Sequence, residues 1–274
     1  MGAERLFVAG RVETTSGYCG VLVVLEGTTP RMVAKASDAS IYGIVPIWGG
    51  YAVSVISHDT TKGLNRIVRL ASDLTVMDNV ILPDDANPHG MYESEGELVV
   101  IATGLDILYG VTRDLKVYIR ERFGLGSNHR LHRNDSVVFT GGRIYTQFTT
   151  QADGLWDMDC IHKNRTGDKA QGVATIGSEV VMDDLMKPHS PVLVGDMLYV
   201  CDSGRGAVRS EQGRVFMEPA TWTRGMCFHQ GLLHVGVADE AMLKPAEVVS
   251  MLPTGEIIRR VSVPLHSIYS VEVV

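Results

Sequence analysis

Long hydrophobic runs are missing from this 274-residue sequence. No window holds eighteen consecutive apolar residues, so the sequence predicts no transmembrane helix and no membrane partner. The first residues, MGAERLFVAGRVE, lack the basic stretch and the apolar core that a signal peptide needs. The cysteines, which form no CxxC pair, are typical of reduced thiols and favour a cytoplasmic location. They are Cys19, Cys160, Cys201 and Cys227.

Basic clusters are also missing. The formal net charge is −7, and the chain has neither a Lys/Arg-rich run nor a stripe that mixes basic and aromatic residues. This distribution argues against nucleic acid as a partner. Long helical periodicity is scarce as well, which leaves strands as the main expected element.

Short apolar runs punctuated by Gly, Asp and Asn make up most of the chain. Examples are GVLVVLEG, YAVSVIS, ELVVIATG, MLYVCDSG and LLHVGVAD. Runs of this length, rich in Val, Ile and Leu and bounded by turn residues, predict many short strands. Chains of this kind are best searched first for internal repeats.

Five segments share one frame, and a sixth is cut short at the C-terminus. They are SIYGIVPIWGGYAVSVIS, NPHGMYESEGELVVIAT, RNDSVVFTGGRIYTQFTT, KPHSPVLVGDMLYVCDS, WTRGMCFHQGLLHVGVAD and PLHSIYSVEVV. One column recurs after 47, 46, 54, 35 and 42 residues, the period of a propeller blade. The sequence therefore predicts a single all-β domain over residues 1–274, a six-bladed β-propeller. We expect the three N-terminal strands and the C-terminal strand to form the last blade.

The recurring column predicts a ring of polar side chains around the axis, because the first strand of each blade is the innermost. Its members are Tyr42, His89, Asp135, His189, Arg224 and His266, and a Gly or Ser follows each. The three histidines fall on alternate blades, so we expect them to converge. Three imidazoles with open positions form a known catalytic metal geometry. We therefore predict a divalent transition metal, with Fe favoured over Zn, Mn or Cu.

The other three ring residues suggest substrate chemistry. Asp135 is a candidate fourth ligand, an acceptor for an imidazole N–H, or a general base. Arg224 is a candidate anchor for a carboxylate or phosphate, which implies a small anionic substrate. Tyr42 is a candidate proton or hydrogen-bond donor. The competing interpretation makes the histidines structural, with hydrogen bonds between blades or buried water in the channel.

Weaker candidates lie in loops expected at the same end of the propeller. The stretch 149–172 looks like an insertion rather than a hairpin, and a long insertion is often a lid. The sequence leaves open whether five loop residues reach the site: His129, His132, Asp202, Asp239 and Glu240. Turn or capping roles are favoured for the three acidic residues.

The segments KPHSPVLVGDMLYVCDSGRG and WTRGMCFHQGLLHVGVAD resemble a largely uncharacterised group of bacterial propeller proteins over roughly the last hundred residues. NPHGMY is similar to the opening of streptogramin lyase and NHL-type blades. That resemblance implies a channel-mouth histidine and a divalent metal in ring-opening elimination. Gluconolactonase-type propellers also imply a metal at this end, held by carboxylate and Asn ligands. The present ligand set departs from both because it is mainly imidazole.

Three functions follow from these observations. The first is a metalloenzyme acting on a small anion, with a lean towards non-haem iron and oxidation. The second is a divalent-metal lyase or hydrolase of the streptogramin-lyase or lactonase type, with a metal-free lyase or isomerase that uses histidine as base as an intermediate possibility. The third is a binding or scaffold propeller that has no catalytic site.

Overall fold

The computed structural model describes residues 5–15, 17–57, 65–83, 86–103, 105, 107–123, 131–139, 142–149, 171–239 and 241–273. The strands of the first half are β1 Arg5–Thr14, β2 Gly17–Glu26, β3 Thr29–Ser37, β4 Ala39–Ile47, β5 Gly50–Ser57, β6 Arg66–Ala71, β7 Val76–Ile81, β8 Pro88–Ser94, β9 Glu97–Ala102, β10 Ile107–Val111, β11 Val117–Arg122 and β12 Leu131–Phe139. The second half adds β13 Gly142–Thr149, β14 Gln171–Ile176, β15 Glu179–Met186, β16 Pro188–Val194, β17 Met197–Asp202, β18 Ala207–Ser210, β19 Gly213–Met217, β20 Thr221–His229, β21 Leu232–Asp239, β22 Glu247–Met251, β23 Ile257–Ser262 and β24 Ser267–Val273, with a 3-10 turn at Ser203–Arg205.

These strands form six antiparallel four-stranded blades, which confirms the six-bladed β-propeller. In five blades the strands follow chain order from the inside outward. The sixth has the order β24-β1-β2-β3, so the C-terminal strand is innermost and the three N-terminal strands complete the blade, as predicted. Its register runs from Leu6 opposite Val273 to Arg11 opposite Ser267. The inner strands β4, β8, β12, β16, β20 and β24 contact one another in turn around the axis.

Both faces of each blade are buried, which explains the nearly continuous apolar runs. Blades are numbered along the chain, so that β4–β7 form blade 1, β20–β23 form blade 5, and β24 with β1–β3 form blade 6. On β1, Leu6 and Val8 pack into the core between blades 5 and 6, whereas Phe7 and Ala9 pack into the core between blades 6 and 1. Because successive side chains of a strand point to opposite faces, one run of apolar residues serves two inter-blade cores.

Tight two-residue turns join the first two strands of several blades. At Trp48–Gly49, Glu95–Gly96 and Gln230–Gly231 both residues have positive φ, between 49° and 83°. Two consecutive positive φ values are the mark of a type I′ turn, whose twist suits a two-residue hairpin and favours Gly at the second position. Among the described residues, no helix is long and apolar enough to span a membrane.

Candidate functional site

A β-bulge interrupts five of the six inner strands at or beside the predicted ring position. The pairing shifts between Ile41 and Gly43, Pro88 and Met91, Arg133 and Asp135, His189 and Val192, and Thr223 and Met226. Bulges re-aim a side chain and often lie next to functional sites. The repeat in the sequence is therefore a repeat of local backbone geometry.

Five of the six predicted ring residues come together at the axis. The ring centre of His89 lies 5.1 Å from that of Tyr42 and 6.0 Å from that of His189. Arg224 donates from a terminal nitrogen to His89 Nδ1 at 3.2 Å. Asp135 lines the axial cavity together with Tyr42 and His89.

The prediction that His266 shares this ring is wrong. The bulge of β24 falls between Ile268 and Ser270, so Tyr269 takes the sixth position and stacks on Tyr42 at 4.1 Å. His266 lies at the start of the strand, where its Nδ1 accepts the backbone N–H of Glu13 at 3.0 Å. The sequence holds a signal for the right frame, because Ile-Tyr-Gly at 41–43 is matched by Ile-Tyr-Ser at 268–270.

The ring does not fit the predicted three-histidine metal centre. Two histidines meet at the axis, the third is elsewhere, and one ring nitrogen of His89 already accepts a hydrogen bond from a guanidinium. Within the described part of the chain, no group of three His, Cys, Asp or Glu side chains is arranged to hold a metal ion. The identity of the metal stays a prediction that nothing here tests.

The two axial histidines have opposite neutral tautomers. An arginine nitrogen can only donate, so His89 Nδ1 accepts and its proton is on Nε2. A carbonyl can only accept, so His189 Nδ1, 2.9 Å from the oxygen of Lys187, carries the proton and its Nε2 holds the lone pair. Burial, then the charge of Arg224 and the neighbouring His89, lower the pKa of His189 well below its usual value. His189 is therefore a neutral base near pH 7.

Arg224 is a buried cation with few compensating partners. Its side chain lies against the rings of Tyr42 and Tyr269, with the guanidinium carbon 5.0 and 4.8 Å from their centres. Its Nε has no hydrogen-bond partner, and in the described ranges no carboxylate comes within 4.0 Å of it. Aromatic faces stabilise a cation only in part, which leaves the guanidinium able to accept an anion.

Asp135 connects three inner strands. Its Oδ2 accepts the backbone N–H of Ser190 at 2.9 Å, and the hydroxyl of Ser190 accepts the N–H of Gly225 at 3.0 Å. Burial raises the pKa of Asp135, and the charge of Arg224 and the Ser190 hydrogen bond oppose that rise. The carboxyl is therefore both a structural tie and a group that holds a proton more readily than an ordinary aspartate.

The small residues of the next column are required by crowding. A Cβ on Gly90 would lie 2.7 Å from the carbonyl oxygen of Asn134, and one on Gly225 would lie 2.8 Å from the carbonyl carbon of Ser270. Contacts this short are not tolerated without backbone movement. As predicted, little space is left where the strands converge, although in the sixth blade Ser270 replaces the expected Ser267.

An axial cavity of about 80 Å³ adjoins the ring, and the sequence analysis missed its second carboxylate, Glu272. Ser270 donates its hydroxyl to Glu272 Oε1 at 3.1 Å. Burial raises the pKa of Glu272 to about 7, the Ser270 hydrogen bond opposes this, and the charge of Asp135 adds to it. A signal was present, since a lone acid within an apolar strand such as SIYSVEVV is unusual.

Two further residues lie near His189. The ring centre of Trp222 lies 6.1 Å from that of His189, and the buried Lys187 has its Nζ 5.7 Å from the centre of the Trp222 ring. Sequence spacing did not single them out. In addition to burial, the charge of Lys187 adds to that of Arg224 in lowering the pKa of His189.

Two of the weaker candidates, Asp202 and Asp239, have structural contacts away from the ring. Asp202 is fully buried, accepts the backbone N–H of Met186 at 2.6 Å and pairs with Arg205 at 2.9 Å, which is a structural role. Asp239 accepts the N–H of Leu243 in a turn. His129, Glu240, residues 150–170 of the predicted lid and the side chain of His132 lie outside the described residues.

Comparisons with solved structures place the chain among propeller proteins. It matches a chain of a nidogen/laminin complex with a TM-score of 0.61 at 13% identity, over 97% of both chains. It matches a gluconolactonase from Xanthomonas campestris with a TM-score of 0.54 at 14% identity, over 94% of this chain and 86% of that one. Streptogramin B lyase gives 0.50 at 11% identity, over 93% and 82%. No family model and no curated protein matches the sequence. Such identities show the fold alone.

Proposed function

We propose that the axial ring binds a small carboxylate-bearing substrate and moves protons on it, in a reaction of the lyase or lactone-hydrolase class. The observation that carries this proposal is the buried guanidinium of Arg224, which lies beside two neutral imidazoles in opposite tautomers.

An anionic substrate would satisfy what the ring leaves unsatisfied. A buried cation is costly unless it is paired or hydrogen-bonded. Arg224 donates one hydrogen bond, to His89, and its guanidinium lies over the faces of two tyrosine rings. Its Nε has no hydrogen-bond partner among the described residues. A substrate carboxylate can accept two parallel N–H bonds from a guanidinium, which fixes its orientation as well as its position.

The imidazoles divide the proton transfer between them. His189 has its lone pair on Nε2 and is held neutral, so it can take a proton from a substrate carbon or from a water molecule. His89 carries its proton on Nε2 and can give it to the departing oxygen. In an elimination, the electrons of the broken C–H bond form the new double bond as the C–O bond breaks. In lactone hydrolysis, the deprotonated water attacks the carbonyl and the ring oxygen leaves with the second proton.

The solved neighbours support this class without fixing it. They include a gluconolactonase and a streptogramin B lyase. The oxidative iron alternative rested on His89, His189 and His266 meeting, and the described geometry supplies two of the three.

The test uses hydrolysis of glucarolactone, a sugar lactone that bears a free carboxylate, followed by proton release, and acetate as a simple anion probe, followed by titration calorimetry. We expect His189→Gln, which keeps a neutral polar side chain, to lower turnover about 10²- to 10⁴-fold while acetate still binds. Arg224→Gln should weaken acetate binding about tenfold or more. His229→Gln, a half-buried histidine on β20 away from the ring, is the matched control. Unchanged acetate binding in Arg224→Gln, or turnover in His189→Gln equal to wild type, would overturn the proposal.

A further inference from the structure

A second hollow lies far from the axis, between blade 6 and blade 1. It has a volume of about 370 Å³ and is lined mainly by apolar side chains of six strands, β2 to β7. Small-molecule sites in proteins fall in the same volume range, and most are apolar with a few polar groups. The hollow is an open groove, because Lys35, Ser37 and Val76, which line it, are exposed.

The hollow exists because one of its walls is built from small side chains. Ala34 and Ala36 on β3 and Ala39 on β4 face it, whereas the opposite wall carries Val53 and Val55 on β5. Larger side chains of the same inter-blade core, among them Phe7, Val24 and Ile44, do not line the hollow. Three alanines leave a slot where branched side chains would close the gap.

A cation lies at one end of this apolar slot. Arg66 is directly opposite Val55 across the β5–β6 pair, so it shares the face that lines the hollow. Ser37 and Ser57 lie at the same end, while Leu70 and Val76 lie at the other, where Val76 is 64% exposed. Among the described lining residues there is no aspartate or glutamate. Lys35 and Asn79 also line the slot, and Arg66 is the charged residue that lies on the same side as Ser37 and Ser57.

We propose that this inter-blade slot binds a linear aliphatic carboxylate, with the chain along the alanine wall and the carboxylate at Arg66. A volume of about 370 Å³ corresponds to about a dozen water molecules, or a chain of similar length in non-hydrogen atoms. The carboxylate is favoured by the local arginine and not by the overall charge, because the chain carries a net charge of −7. The site is independent of the axial ring, so its failure would leave the axial function untouched.

The test is titration calorimetry of the intact chain with hexanoate, octanoate, decanoate and 1-octanol. Each added methylene should raise affinity about fourfold until the chain outgrows the slot. Arg66→Gln should weaken octanoate about tenfold or more and leave 1-octanol within twofold. Arg69→Gln is the matched control, since it removes the same charge from the same strand on the opposite face, where Arg69 lies across from Ala52.

A second variant tests the walls of the slot. Ala36→Leu should abolish binding of both octanoate and 1-octanol, with a melting temperature that shows the fold intact; Ala34→Val replaces it if the first variant does not fold. Three results would overturn the proposal. They are no heat of binding with decanoate at millimolar concentration, equal octanoate affinity in Arg66→Gln and wild type, or wild-type affinity of Ala36→Leu for octanoate and 1-octanol.

Discussion

Glu272→Gln is expected to stabilise the protein at neutral and alkaline pH and to have little effect at pH 4 to 5. Glu272 faces the axial cavity, where burial raises its pKa from 4.5 to about 7. Between these two pH values the unfolded chain releases this proton and the folded chain keeps it. The free energy of unfolding therefore falls as pH rises through this window.

The magnitude follows from the size of the shift. One pKa unit is worth about 1.4 kcal/mol, so the carboxyl of Glu272 costs the folded state about 3 kcal/mol once the pH exceeds 7. A glutamine has the same shape and never ionises. The difference between variant and wild type should therefore grow from near zero at pH 4.5 to about 3 kcal/mol at pH 8. The repulsion from Asp135 is one of the causes of the raised pKa and is included in this figure.

Urea denaturation of both proteins at pH 4.5, 6, 7 and 8 measures this difference directly. Glu256→Gln, at an exposed turn position, controls for the loss of one carboxylate from the net charge. If the difference between Glu272→Gln and wild type does not vary with pH, or if the variant loses stability as pH rises, then the cavity does not hold a protonated glutamate. The burial of Glu272 in the axial cavity, from which the raised pKa follows, would then be wrong as well.

Three other substitutions test the geometry around the site. His266→Ala should cost about 1 kcal/mol in urea denaturation, through its lost hydrogen bond to the Glu13 backbone, and should leave acetate binding at the axis unchanged. Gly90→Ala should cost about 1–3 kcal/mol because its Cβ meets a backbone oxygen, whereas Gly142→Ala, whose Cβ has a 3.8 Å contact, should cost less. Asp202→Asn should lower the free energy of unfolding by about 1.5–3 kcal/mol, since it weakens two hydrogen bonds of a buried carboxylate; a change below 0.5 kcal/mol would contradict that role.

The repeat in the sequence was enough to predict the propeller and most of its ring. A recurring polar residue followed by Gly or Ser marks a bulge, and a bulge is a local property that each segment encodes by itself. Tyr42, His89 and Arg224 were found in this way, as was the closure of the ring by the C-terminal strand.

The sixth blade shows where that reasoning stops. Its truncated segment offers two alignments three residues apart: His266-Ser267 matches His189-Ser190, and Ile-Tyr-Ser at 268–270 matches Ile-Tyr-Gly at 41–43. The first match suggested the wrong alignment. The correct register is set by the pairing of β24 with β1, a contact between the two ends of the chain, and the choice between the two matches depends on that contact. A bulge also shifts the alternation of side chains along a strand, so the inward direction of Glu272 could not be read from its spacing.

The strand that closes the propeller also completes the site. β24 carries Tyr269, which stacks on Tyr42 and contacts Arg224, and it carries Glu272 in the axial cavity. Pairing of β24 with β1 therefore does two things at once: it removes an open sheet edge and it brings the last two polar side chains to the axis. A register slip of one residue would reverse the faces of the strand and withdraw Tyr269 from the ring. Closure of the fold and assembly of the site are in this way a single structural event, and the bulge at Tyr269 fixes its register.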